Sequence, residues 1–364
     1  MKIAEIISFL ESLANPALQE HYDNAGLITG NPHWECQGII CSLDSTEDVI
    51  KEAIEKKCNL VVAHHPIIFQ GLKRINGKNY VEKTIITAIK NDIAIYAIHT
   101  NLDNVMDGVS GRMAKMIGLQ NLSVLSTKGD TLKKLFVFVP VEKSSYVRNA
   151  IFAAGAGHIG NYSECSFNTE GTGTFKAGDG SNPYIGNIGE HHQEKEMKME
   201  MIFPAFLENK IVTSMRAAHP YEEVSFDVVN LSNTNPKTGA GVIGELAVPM
   251  EELTFLNYLK TIFGLTVIRH TKLNGKPVKR VALCGGAGSF LISSALGSGA
   301  DVYITADMKY HEFFDANGEI LIADIGHFES EQFTVDLLQE NLELNFPTFA
   351  VLKTTVATNP VYYF

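Results

Sequence analysis

Three short stretches place metal-capable side chains directly after apolar runs. In the first, Leu60–Ala63 leads into His64-His65-Pro66. Neighbouring side chains in a strand point to opposite faces, so adjacent histidines share one site only where the strand ends and the chain turns. Pro66 marks that end, because it has no N–H to give a strand partner. The carboxyl ends of strands are where open α/β sheets bind ligands. An imidazole pair there reads either as a metal site or as two hydrogen-bonded histidines. In the second stretch, Ile93–Ile98 ends in His99-Thr100-Asn101-Leu102-Asp103. In the third, Ile320–Ile325 ends at Gly326, followed by His327 and Glu331. The last two residues are i and i+4 on a helix, on one face and about 6 Å apart along the axis. Imidazole and carboxylate ligands together suit zinc, iron or manganese better than calcium.

Other polar groups fall near the same places. Asp44 follows the strand Gly38–Leu43. Asp23 sits in the loop His21–Leu27, which is either a turn or the rim of a site. His311 follows the strand Val302–Thr305. With His99, these three are candidates to orient ligands or carry protons.

The elements that must position these groups alternate. A first helix over 2–14 carries Ile3, Ile6, Ile7 and Leu10 on one face. Strands at 38–43, 60–63 and 93–98 alternate with helices at 46–56 and 81–91, which implies a mainly parallel sheet. From Leu132 the pattern changes to strand, helix, hairpin, helix, strand, ending at Val224–Val229. This β-α-β-β-α-β order is ferredoxin-like. After it, strands at 278–284, 302–305 and 320–325 return to α/β, and His327 opens a long helix. The expected architecture is a discontinuous α/β domain whose outer blocks share one mainly parallel sheet, interrupted by a ferredoxin-like α+β insertion. The boundaries fall at 1–126, 127–243 and 244–364.

Three other motifs compete for attention. His191-His192 lies in a charged loop after a segment rich in Gly, Asn and Ser, a poor setting for a metal. Gly239–Gly244 matches G-x-G-x-x-G, but no strand leads directly into it and no helix opens from it, so it reads as a glycine-rich crossing between blocks. Gly285–Ser289 opens a helix, which suits either an anion or close backbone packing.

Composition narrows the function classes. The chain has 364 residues and a net charge of −11, which argues against a broad nucleic-acid surface. Five cysteines with no C-x-x-C indicate neither a disulfide framework nor a cysteine zinc knuckle, and fit a cytoplasmic protein. The N-terminus reads as an amphipathic helix and not a signal peptide, and no apolar run is long enough to span a membrane.

Four motifs together resemble one known family, the Nif-three-like dinuclear-metal proteins, also labelled GTP cyclohydrolase 1 type 2 homologues. They are His64-His65-Pro66, His99-x-x-x-Asp103, Cys284-Gly285-Gly286-Ala287-Gly288-Ser289 and Gly326-His327-x-x-x-Glu331. The resemblance spans nearly the whole chain. It implies two divalent metal ions per subunit, zinc first, with iron or manganese as alternatives. It places His64 and His327 on one ion, His65 and Asp103 on the other, and Glu331 between them. The middle block, with His219-Pro220-Tyr221-Glu222-Glu223-Val224, resembles the PII/CutA-like insertion of the longer members, which form homohexamers with metal sites facing an internal cavity. A loop tryptophan common in the family corresponds to Tyr22 here. The implied activity is a metal-dependent hydrolase acting on GTP or another nucleotide-like small molecule through a metal-activated water. The alternative is a non-catalytic metal-binding regulator or adaptor.

Overall fold

The computed structural model describes residues 1–364. Strand–helix alternation begins with α1 (Ile3–Leu13), β1 (Gly26–Thr29), β2 (Ile39–Ser42), α2 (Glu47–Glu55), β3 (Leu60–Ala63), α3 (Tyr80–Lys90) and β4 (Ala94–Ala97). Short α4 (Thr100–Asp103), α5 (Val109–Ile117) and β5 (Gln120–Thr127) follow. The middle block contains β6 (Leu132–Pro140), α6 (Ser144–Ala153), β7 (Phe167–Lys176), β8 (His191–Pro204), α7 (Glu208–Ala218) and β9 (Phe226–Asn230). Then come β10 (Gly239–Met250), α8 (Glu252–Phe263), β11 (Arg269–His270), β12 (Val278–Ala287), α9 (Ile292–Gly297), β13 (Val302–Ala306) and β14 (Leu321–Asp324). The chain closes with α10 (His327–Glu331), α11 (Thr334–Asn345) and β15 (Val351–Lys353).

These elements form two compact units, Met1–Thr127 with Pro236–Phe364, and Lys128–Asn235. The first unit is α/β and holds two sheets where one was expected. One has the order β1-β4-β3-β2-β15, parallel except for the edge strand β1. The other has the order β11-β14-β13-β12-β10-β5, with a parallel centre and antiparallel β11, β10 and β5. Each block supplies a strand to the other's sheet: β15 extends the first, and β5 closes the edge of the second. That exchange ties the two halves together and could not be read from local periodicity.

Burial on both faces explains the near-continuous apolar strands. In the first sheet Ile39, Cys41, Leu60 and Val62 face Ile3, Ile6 and Leu10 of α1 with Leu338 and Leu342 of α11. The alternate residues Ile40, Val61, Ala63 and Ile95 face Val49, Ile50, Ile85 and Ala88 of α2 and α3. The second sheet repeats the arrangement, with α5 and α8 on one face and α9 on the other. Its Gly239–Gly244 segment is the start of β10, paired on both sides, and not a crossing loop.

The second unit has the β-α-β-β-α-β order and the antiparallel sheet β7-β8-β6-β9. Met197, Met199 and Met201 lie on its core face beside α6 and α7, as their period-two spacing implies. His191-His192 is corrected by the structure. Both residues open β8 and pair with Lys176 and Phe175, because the hairpin register carries the strand further back than its charged sequence suggests.

Candidate metal centre

The carboxyl ends of three parallel strands in each sheet of the first unit supply the site. Beyond β2 stands Asp44, beyond β3 His64-His65, and beyond β4 His99 and, at the end of α4, Asp103. From the second sheet come Gly286 at the end of β12, Asp307 just after β13, and His327 and Glu331 on α10 after β14. His64 and His65 still follow the edge of the sheet, their N–H groups donating to Ser42 and Leu43 carbonyls at 3.2 and 2.9 Å.

Glu331 is the hub. Its Oε2 lies 2.9 Å from His65 Nε2, 3.0 Å from His327 Nε2 and 3.9 Å from His64 Nε2. Asp103 Oδ1 is 3.7 Å from His64 Nε2, and the Nε2 atoms of His65 and His327 are 3.3 Å apart. Three three-residue groups have ligand atoms within 4.8 Å of one another: His64 with His65 and His99, His65 with His327 and Glu331, and His64 with Asp103 and Glu331. The structure therefore brings His64, His65, Asp103, His327 and Glu331 together. It sets His64 beside Asp103 and His65 beside His327, where the resemblance paired them the other way. Hydrogen bonds from both His65 and His327 to one carboxylate oxygen draw those two rings together.

The Nδ1 side of every ring is occupied. His64 Nδ1 donates to the Ile98 carbonyl at 2.8 Å, and His65 Nδ1 to Asp44 Oδ1 at 2.8 Å. His99 Nδ1 donates to Asp23 Oδ1 at 2.8 Å, and His327 Nδ1 to Asp307 Oδ2 at 2.7 Å. Asp23 also accepts from the Thr100 N–H at 3.0 Å and from its hydroxyl. Asp44 accepts from the Thr358 hydroxyl at 2.7 Å. Two sequence candidates thus orient His65 and His99, but His311 does not reach the cluster. Its ring packs on Tyr310 and Phe314, an aromatic cluster on an exposed turn. The residue that orients His327 is Asp307, one position past β13, with φ of +54°. The strand-end rule that singled out His64, His99 and His327 also points at Asp307.

Electrostatics divides the groups. Burial pushes His64 down to about 3, although Glu331 pulls the other way, so its imidazole is neutral. Burial works against protonation of His65 and His327 too, but their carboxylate partners win and raise them to about 9 and about 11. Burial and the neighbouring Glu331 charge hold Asp103 well above the usual carboxylate range. Glu331 is held well below it, because hydrogen bonds from His327 and His65 outweigh its burial. Asp23 lies at about 2: burial opposes ionisation, and the His99 and Thr100 hydrogen bonds overcome it.

Two atoms test whether the cluster suits a cation. His64 Nε2 and Asp103 Oδ1 are both buried and have no hydrogen-bond partner. A neutral imidazole lone pair and a carboxylate oxygen are acceptors, so what both lack is an electron-pair acceptor such as a metal ion. The residues fit one. The packing around Glu331 is equally specific. A Cβ on Gly286 would lie 2.2 Å from Glu331 Oε1, and the Gly286 N–H donates to Ser330 Oγ at 3.0 Å. The glycine turn therefore serves close packing against the Glu331 carboxylate. α9, which follows it, has only 6 residues. The long helix expected from His327 is broken between Glu331 and Thr334, leaving α10 as a separate turn that presents His327 and Glu331.

The cluster lies in a cavity of about 1010 Å³ with Tyr22, Phe69, Tyr80, Phe290 and Tyr363 among its lining residues.

Two α/β sheets whose carboxyl ends meet at a histidine–carboxylate cluster define the class. The chain belongs to the Duf34/NIF3 (NGG1p interacting factor 3) family, whose model matches residues 1–360. It is 40% identical over 348 residues to a GTP cyclohydrolase 1 type 2 homolog of Halalkalibacterium halodurans, covering 94% of this chain and 93% of that one. It is 39% identical over 326 residues to a protein of the same name from Bacillus subtilis, covering 89% and 87%. Among solved structures it resembles a Bacillus cereus protein related to NIF3, with a TM-score of 0.86, 39% identity and coverage of 100% and 99%. No helix is long and apolar enough to cross a membrane.

Proposed function

We infer that this protein binds two divalent metal ions and is a metal-dependent hydrolase of a nucleotide-like substrate. One observation carries the reading: His64 Nε2 and Asp103 Oδ1 are buried acceptors without donors, both within 4 Å of another side-chain atom of a cluster centred on Glu331. His64, His65, Asp103, His327 and Glu331 would hold the ions, and Glu331, common to two of the three-residue groups, would be shared. Zinc is the first candidate, with iron and manganese next. Bound there, the ions would supply Lewis acidity and a water acidic enough to ionise near neutral pH.

The rest is done by the chain. Ile98, Asp44 and Asp307 fix the rings of His64, His65 and His327 and leave each Nε2 facing the cluster. His99, held by ionised Asp23, has Nε2 as its remaining nitrogen and is placed to carry a proton there. Aromatic side chains in the cavity lining suit a flat base. The names of the relatives point to GTP, and the family resemblance implies opening of its purine ring with release of formate. The family resemblance also makes a homohexamer the expected assembly, which light scattering tests.

The experiment is metal analysis of the purified protein together with formate release from GTP, for wild type and Glu331→Gln. The expected result is about two ions per chain with turnover in the wild type, and sharp loss of both in the variant. Full occupancy in Glu331→Gln would overturn the ligand assignment. Full metal with no turnover of GTP or other nucleotides would favour a non-catalytic metal-binding regulator.

A further inference from the structure

The second unit has a cavity of its own, about 680 Å³, entirely within residues 138–225. Among its lining residues are Phe138, Gly171 and Glu196 of the sheet, Tyr221 of the loop after α7, and Tyr184 of the segment that follows β7. The metal cluster uses none of these residues.

The loop after α7 is built to present side chains. His219 is buried, and both ring nitrogens are committed to the backbone. Its Nε2 donates to the Phe138 carbonyl at 2.9 Å, and its Nδ1 accepts from the Tyr221 N–H at 3.1 Å. This fixes Tyr221, Glu222 and Glu223 at the cavity wall, which gives the His219–Glu223 motif a physical purpose. The segment after β7 is tied to the same loop by the Asn182 N–H, which donates to Glu222 Oε1 at 2.7 Å.

The lining has one chemical character. The Tyr221 ring lies 6.4 Å from Phe175 and 6.1 Å from Tyr184, centroid to centroid, forming a continuous aromatic wall. Beside it the Tyr221 hydroxyl donates to Glu196 Oε1 at 3.0 Å. The ionisable groups are the carboxylates of Glu170, Glu196, Glu222 and Glu223 against the ammonium groups of Lys176 and Lys198. Lys198 pairs at 3.1 Å with Glu200, which it shares with Lys134, and sits 4.7 Å over the Phe136 ring, so its ammonium is drawn toward groups outside the cavity lining. Aromatic faces attract cations, and carboxylates at their rim add to that field. An anionic ligand would face excess negative charge.

We propose that this cavity binds a small alkylammonium cation, held by the Phe175–Tyr184–Tyr221 rings and the Glu196 carboxylate. Two glycines of β7 make room for it. A Cβ on Gly173 would lie 2.1 Å from Glu196 Oε2, so this glycine lets the carboxylate rest against the strand. A Cβ on Gly171 would meet nothing within 4 Å, so a side chain there would project into free space at the cavity.

The test is calorimetric titration of the full-length protein with choline and with its uncharged carbon isostere, dimethylbutanol. Choline is expected to saturate, and dimethylbutanol to bind at least about tenfold more weakly. Glu196→Gln should weaken choline by about tenfold, and Gly171→Leu should abolish binding, with melting temperature and molecular mass unchanged in both. Absence of choline binding to the wild type overturns the proposal, and so does equal binding of the isostere. Unimpaired binding by Gly171→Leu also overturns it. A change in assembly size for Gly171→Leu, with no choline binding by any form, would instead mark the cavity as covered by a second copy of the chain.

Discussion

Replacing Gly286 by alanine tests the candidate metal centre through the backbone, without replacing any of its clustered side chains. Two effects add. Gly286 has φ of +64°, a left-handed conformation that costs a residue with a Cβ about 1–2 kcal/mol. The added Cβ would also stand 2.2 Å from Glu331 Oε1 and 3.4 Å from His327 Cε1. Overpacking of this kind costs about 1–3 kcal/mol, because the carboxylate is hydrogen-bonded on its other side and cannot swing away freely. The sum is about 2–5 kcal/mol. Gly264 isolates the first effect. Its φ is +67°, and a Cβ there would meet nothing within 4 Å. Gly264→Ala should therefore lose about 1–2 kcal/mol in denaturant unfolding and keep its metal. Gly286→Ala should lose more and also lose metal, read by elemental analysis, because Glu331 is displaced. Equal destabilisation in the two variants with full metal content in both would refute the packing account of the glycine turn.

Other consequences can be measured in the same way. Asp307→Ala should lower metal affinity by about 10–100-fold, because His327 loses the partner that fixes its ring, while His311→Ala should leave it unchanged; competition with a chelator distinguishes them. Glu52 accepts hydrogen bonds from the Thr354 and Thr355 hydroxyls at 2.5 and 2.6 Å and from the Thr355 N–H at 2.9 Å, tying the C-terminal segment to α2. Burial raises its pKa, but these bonds outweigh it and leave the group below its ordinary value, so their contribution is present at neutral pH and is lost on acidification. Glu52→Gln should then be less stable than wild type by about 1–3 kcal/mol at pH 7, the gap closing below pH ~4 in urea titrations. Asp103→Asn removes a carboxylate held against the Glu331 charge, so in chelator it should be more stable than wild type by at least about 1 kcal/mol. With saturating zinc the order should reverse, as calorimetry would show.

The strand ends were legible because an apolar run followed by polar groups leaves a local signature. His64, His99 and His327 each follow such a run, and the structure gathers all three. What could not be read locally depends on pairing between distant segments. The exchange of β5 and β15 splits the outer blocks into two sheets, and no periodicity within either strand announces its partner. Pairing with β7 draws His191 and His192 into β8 despite their charged neighbours. In the sequence His311 is the candidate after the strand expected at Val302–Thr305, but the residue that reaches the cluster is Asp307. The ring of His327 needs an acceptor for Nδ1, and the left-handed Asp307 turns its carboxylate to that position.

One regularity joins these observations. Each of the four clustered histidines gives its Nδ1 to an oxygen acceptor, and the acceptors belong to four separate segments: Asp23 in a loop, Asp44 after β2, Ile98 after β4, and Asp307 after β13. A stability rationale alone does not require this, since a buried histidine is satisfied through either nitrogen. Uniform use of Nδ1 directs all four Nε2 atoms inward, while Asp103 and Glu331 are brought together at a cost in like-charge repulsion. A fold selected only for stability would avoid that repulsion with an amide or an apolar pair. Four independent orienting bonds, and two acids brought together with only Glu331 answered by protonated histidines, are together what a bound cation would repay.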